Sequence, residues 1–78
     1  MYLVFWTKLA QLTLLGVQLS SPLACEAQRN EYAKDPTVDA AQCIHSDHDL
    51  ERFLKKHDCS IMEGRDNFAN YVCSKTSQ

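Results

Sequence analysis

Apolar and polar residues are sorted very unevenly along this chain. From Met1 to Ala24 the only charged side chain is Lys8, and fifteen of the thirty-five hydrophobic residues fall in that stretch. Leu9 to Leu19 is an apolar run broken by Gln11, Thr13, Gly16 and Gln18. A permanent membrane helix needs roughly 20 consecutive apolar residues, so these breaks argue against a span. A short leader with one positive charge, an apolar middle and the helix-breaking Ser20-Ser21-Pro22 ahead of Ala24 together predict a secretory signal peptide. The expected organisation is a signal peptide over residues 1–24 and a mature domain over 25–78. A cut after Ala24 leaves Pro22 where a small residue is preferred, whereas a cut after Ala27 fits that preference and discards Cys25. Keeping an even number of cysteines favours Ala24.

Beyond residue 24 the periodicity predicts short helices. Residues 25–34 (CEAQRNEYAK) are good helix formers, with Cys25 and Tyr32 seven apart on one face. Asp35 and Pro36 read as N-cap and first residue of a second helix over 36–45, with Ala40, Cys43 and Ile44 on one side. Ser46 and Asp49 open the clearest helix, in which Leu50, Phe53, Leu54 and His57 form an apolar stripe. Glu51, Arg52, Lys55 and Lys56 take its other side, with Glu51 and Lys55 at a favourable spacing for an ion pair. Ser60 and Glu63 read as another capping box, and Asp66 as the cap of a last turn carrying Phe68, Tyr71 and Val72. No stretch of the mature part alternates apolar with polar over strand length. The expected fold is therefore small, all-α and disulfide-stabilised, with three to four short helices.

Cysteine content sharpens the picture. Cys25, Cys43, Cys59 and Cys73 are all the cysteines of the chain, and none of their spacings is C-x-x-C. In an exported domain too small to build a large core, four cysteines read as two disulfides, with three connectivities open.

Charge removes one class of function. The chain carries 8 Lys+Arg against 10 Asp+Glu, a formal net charge of −2, without the basic excess of a nucleic-acid binder. The mature part is more acidic still, with seven Lys+Arg against ten Asp+Glu.

Catalytic chemistry finds no constellation. There is no Gly-x-Ser-x-Gly, His-Glu-x-x-His or glycine-rich phosphate loop, Ser46 and Ser60 read as helix caps, and the chain is not expected to be an enzyme or to hold a cofactor. Cys43-Ile44-His45, mirrored by His57-Asp58-Cys59 with His48 between, supplies zinc-ligand types. Ligands two apart on a helix point to different sides, so the plainer reading is half-cystines flanked by solvated histidines. A secreted metal-binding protein using His45, His48 and His57 stands as an alternative, as does a pH response of those histidines beside Asp47, Asp49 and Asp58.

The best contact surface is the positive face made by Arg52, Lys55 and Lys56 in an otherwise acidic domain. The expected function is a secreted protein, monomeric and without a membrane span, that acts by binding. The leading form is a venom-type toxin or host-directed effector engaging a protein receptor or ion channel. An endogenous extracellular signal, such as a pheromone, reproductive-fluid peptide or growth-factor-like ligand, is the alternative.

Overall fold

A computed structural model describes residues 1–8 and 12–74; residues 9–11 of the apolar run and 75–78 of the polar tail lie outside the described residues. The elements run β1 (Tyr2–Thr7), β2 (Thr13–Gln18), α1 (Pro22–Ala33), β3 (Val38–Ile44), α2 (Asp47–Lys56), β4 (Cys59–Arg65) and β5 (Phe68–Cys73). The strands form one antiparallel sheet in the order β3-β1-β2-β5-β4. The expected all-α fold is thus incorrect: the chain is a five-stranded sheet with two helices.

The middle of the sheet is built from β1 and β2, within the segment whose pattern predicts a leader. Tyr2–Thr7 (YLVFWT) joins aromatic and β-branched residues, and its four central side chains are buried. Such a run suits a strand covered on both faces, where alternation has no solvent side to reward. Leu3 and Phe5 meet Cys25, Val38 and Tyr32, placing α1 on one face. Val4 and Trp6 meet Leu14, Ile44, Leu50, Phe53 and Leu54, placing α2 on the other. Ser20-Ser21-Pro22 starts structure rather than stopping it. Ser21 Oγ accepts the Ala24 N–H at 3.1 Å, and Pro22 stands at the first helical position. A boundary between Ala24 and Cys25 would fall inside α1 and separate β1 and β2 from the rest.

Two expected helices are strands. Asp35 does accept hydrogen bonds from the Thr37 N–H (2.9 Å) and hydroxyl (2.8 Å), but this turn delivers the chain into β3. Both edges of β1 carry unpaired backbone groups in a buried layer; β2 satisfies one edge and β3 the other, which outweighs the weak helical pattern of residues 36–45. Ser60 and Glu63 lie on β4 instead of capping a helix. Asp66 opens the two-residue turn between Arg65 and Phe68 with a positive φ of 31°, so residues 59–73 form a hairpin.

Where helices were expected at 25–34 and after Ser46, they are present, and the second is capped as anticipated by Ser46 Oγ on the Asp49 N–H at 3.2 Å. Cysteine pairing follows from the strand layout: Cys25–Cys43 ties α1 to β3, and Cys59–Cys73 joins directly opposed residues of β4 and β5. No helix among the described residues is long and apolar enough to cross a membrane.

Candidate functional site

The positive face of α2 is held outward by what lies beneath the helix. Leu50, Phe53 and Leu54 seat on Val4, Trp6 and Ile44, while the Tyr2 hydroxyl donates to Asp47 Oδ1 in the first turn. Asp47 and Asp49 stand at the positive end of the helix dipole and Lys55 and Lys56 at the negative end, each favourable for the helix. At 100° per residue, Arg52, Lys55 and Lys56 fall within roughly 100° of arc on the solvent side. All three are exposed. The ion pairs among the described residues join Lys34 to Glu31 and Arg65 to Glu63, so among those residues the three α2 cations have no carboxylate at bonding distance, Glu51 included.

Arg52, Lys55 and Lys56 surround a shallow depression of about 560 Å³ that also includes Asp49 and Phe53. Phe53 and Lys56 are shared with a second, more enclosed cleft of about 410 Å³ between α2 and β3, whose other walls are Val4, Trp6, Ala40, Gln42 and His57. Its floor is an aromatic cluster. His57 packs edge-on against Trp6 at 5.3 Å and tilted against Phe53 at 4.6 Å, with Trp6 and Phe53 6.4 Å apart.

The comparisons with known proteins give no name to this arrangement. Neither a protein-family model nor a curated protein nor a solved structure matches the chain. Function must therefore be argued from the site itself.

The three histidines are not brought together. His57 is buried in the aromatic cluster, whereas His45 and His48 are exposed. Among the described residues no group of three or more His, Cys, Asp or Glu side chains is placed to hold a metal ion. Cys43 and Cys59, the other members of the mirrored motif, are committed to different disulfides.

Three ionisable groups are shifted by their surroundings. The hydrogen bond to Asp47 raises the Tyr2 phenol above its ordinary value. Burial raises Tyr71, which lines a cleft of only about 80 Å³ at the opposite end of α2 with Tyr2, Gly16 and Leu50. The backbone and hydroxyl of Thr37 hold Asp35 below the usual carboxylate range.

Val4, Trp6, Ala40 and Gln42 are site residues that the sequence pattern does not mark. Trp6 lay in the presumed leader, and Ala40 and Gln42 lay in a presumed helix. A short run such as YLVFWT, rich in aromatic and β-branched residues, was the available signal for a buried strand.

Proposed function

We propose that this protein acts by binding, in the extracellular space, as a toxin- or effector-type ligand whose α2 face docks on an acidic surface of a receptor or channel. The observation that carries the reading is the exposed trio Arg52, Lys55 and Lys56 around Phe53, without a carboxylate partner among the described residues, on a helix anchored at both ends. A local positive face on a chain of net charge −2 attracts acidic partners and orients the encounter, while the overall charge opposes indiscriminate contact with anionic surfaces. Phe53 adds apolar area next to the charges, as hot-spot surfaces commonly do. Two disulfides fix the frame and suit an oxidising compartment.

The proposal is for the chain with residues 1–24 in place, because Val4 and Trp6 form the seat of α2. The test is binding of fluorescently labelled, oxidised protein to a panel of cultured cells, measured by flow cytometry and by salt titration. A variant carrying Arg52→Glu, Lys55→Glu and Lys56→Glu is expected to lose surface binding while still unfolding cooperatively, its melting temperature lowered only by the few degrees that reversing two charges at the C-terminal end of α2 costs. Equal binding by that variant, or binding insensitive to salt, would refute the assignment of this face.

A further inference from the structure

The cleft between α2 and β3 has a composition of its own. On the strand side, Ala40 and Gln42 lie on the same face of β3, opposite Trp6 and Val4 of β1. On the helix side stand Phe53, Lys56 and His57. Ala40 contributes only a methyl group, and that leaves the space between the edge strand and the helix open. The apolar walls are Val4, Trp6, Ala40 and Phe53. Two exposed polar side chains border them: the Lys56 ammonium, without a carboxylate at bonding distance among the described residues, and the Gln42 amide. At about 410 Å³ the cleft lies within the usual size range of small-ligand sites, roughly 300–1,000 Å³.

We infer that this cleft binds a small aromatic carboxylate, with the flat ring against Trp6 and Phe53 and the carboxylate between Lys56 Nζ and the Gln42 amide. The charge decides the class of ligand. Lys56 and, in the adjoining depression, Arg52 and Lys55 outnumber Asp49, so a monoanion is favoured over a cation. The floor decides the rest: the half-buried Phe53 ring gives a flat ring a face to pack on, backed by the buried Trp6 and His57 rings. A carboxylate can accept from an ammonium and an amide N–H together, and charge-assisted hydrogen bonds are the stronger kind. The site shares Phe53 and Lys56 with the face proposed above to dock on a receptor. Ala40 and Gln42 belong to the cleft alone, so the two readings fail separately.

The test uses the full, oxidised chain and 2-naphthoate as probe, with neutral 2-naphthamide as its uncharged counterpart. Trp6 is the chain's one tryptophan, so its fluorescence reports on the floor directly. Saturable quenching by naphthoate is expected, with amide shifts in the ¹H–¹⁵N spectrum confined to Ala40, Gln42 and residues 53–57. Naphthamide should bind about tenfold more weakly, and Lys56→Gln should remove that preference. Ala40→Phe fills the cleft and should abolish binding of both probes. Should that substitution disturb the fold, Gln42→Glu places a repelling charge at the rim and should weaken naphthoate alone. Non-saturable quenching, equal affinity for acid and amide, or shifts centred on Phe68 and Val72 of the opposite sheet face would each overturn the inference.

Discussion

Deleting residues 1–24 is the perturbation on which the structure speaks most directly. Among the described residues, Leu3, Val4, Phe5, Trp6 and Leu14 are five of the nine buried apolar side chains. At about 1.5–3 kcal/mol each, their burial is worth roughly 8–15 kcal/mol. That spans the whole net stability of a typical domain, about 5–15 kcal/mol. The loss is also topological, since β1 and β2 separate β3 from β5 and their removal leaves one lone strand and one two-stranded hairpin. An isolated hairpin is marginal in water, and the remaining disulfides tie each piece internally without joining them. Oxidised 25–78 should therefore show neither a cooperative thermal transition nor a dispersed ¹H–¹⁵N spectrum, while the full chain shows both. Protein recovered from a secreting host should retain residues 1–24, whose strands form the core. A truncated chain that melts cooperatively with the strand signature of the full chain would refute the account of the core. A recovered chain beginning at Cys25 would show instead that the leader reading describes the mature protein.

Four smaller perturbations follow from local geometry. Tyr2→Phe removes a hydrogen bond to a carboxylate and should cost about 1 kcal/mol in urea unfolding. Because the folded Tyr2 pKa is raised, its contribution is present below the ordinary phenol value of 10.0 and is lost as pH rises through the folded value; the variant should lose that part of the alkaline dependence. Asp58 follows α2 with φ 53°, so Asp58→Gly should raise stability by up to about 1 kcal/mol, read from the melting temperature. Ser46→Ala, which deletes the N-cap of α2, should cost about 1 kcal/mol and lower helicity by circular dichroism. Replacing Cys59 and Cys73 together by Ser should cost about 3 kcal/mol by chemical denaturation, given the short loop the bridge closes.

Parts of this molecule were legible in its sequence for identifiable reasons. The α2 helix could be read because its cap, charge distribution and apolar stripe agree, and such agreement leaves little for tertiary context to override. The four cysteines announced disulfides but not their partners, which were set by the pairing of β4 with β5 and by the packing of α1 on β3. The strands were hidden by three different effects. In β1, burial on both faces replaced alternation with a solid apolar run that resembles a signal peptide. In β3, alanines and a glutamine carried no strand preference, and the conformation was imposed by the neighbouring edge of β1. In β4 and β5, the Asp66-Asn67 turn lacked the glycine that marks most two-residue hairpins, so Asp66 looked like a helix cap. Arg52, Lys55 and Lys56 were visible as a charged face; the cleft behind them was not, since it joins residues 4 and 6 to residues 40–57, more than thirty positions on.

The order of the strands also imposes a timetable on synthesis. β1 and β2 leave the ribosome before the other strands and are neighbours in sequence, so they can pair early. Their outer edges then wait: β1 for β3, whose Ile44 pairs with Tyr2, and β2 for β5, whose Val72 pairs with Thr13. Until β5 is made, the apolar β1–β2 pair has an open edge available to any other strand. Folding dominated by such distant pairings is slow, on the order of milliseconds to seconds, and exposed to aggregation. Yield from a cell should accordingly depend more on how long that nascent edge is shielded than on how stable the finished sheet is.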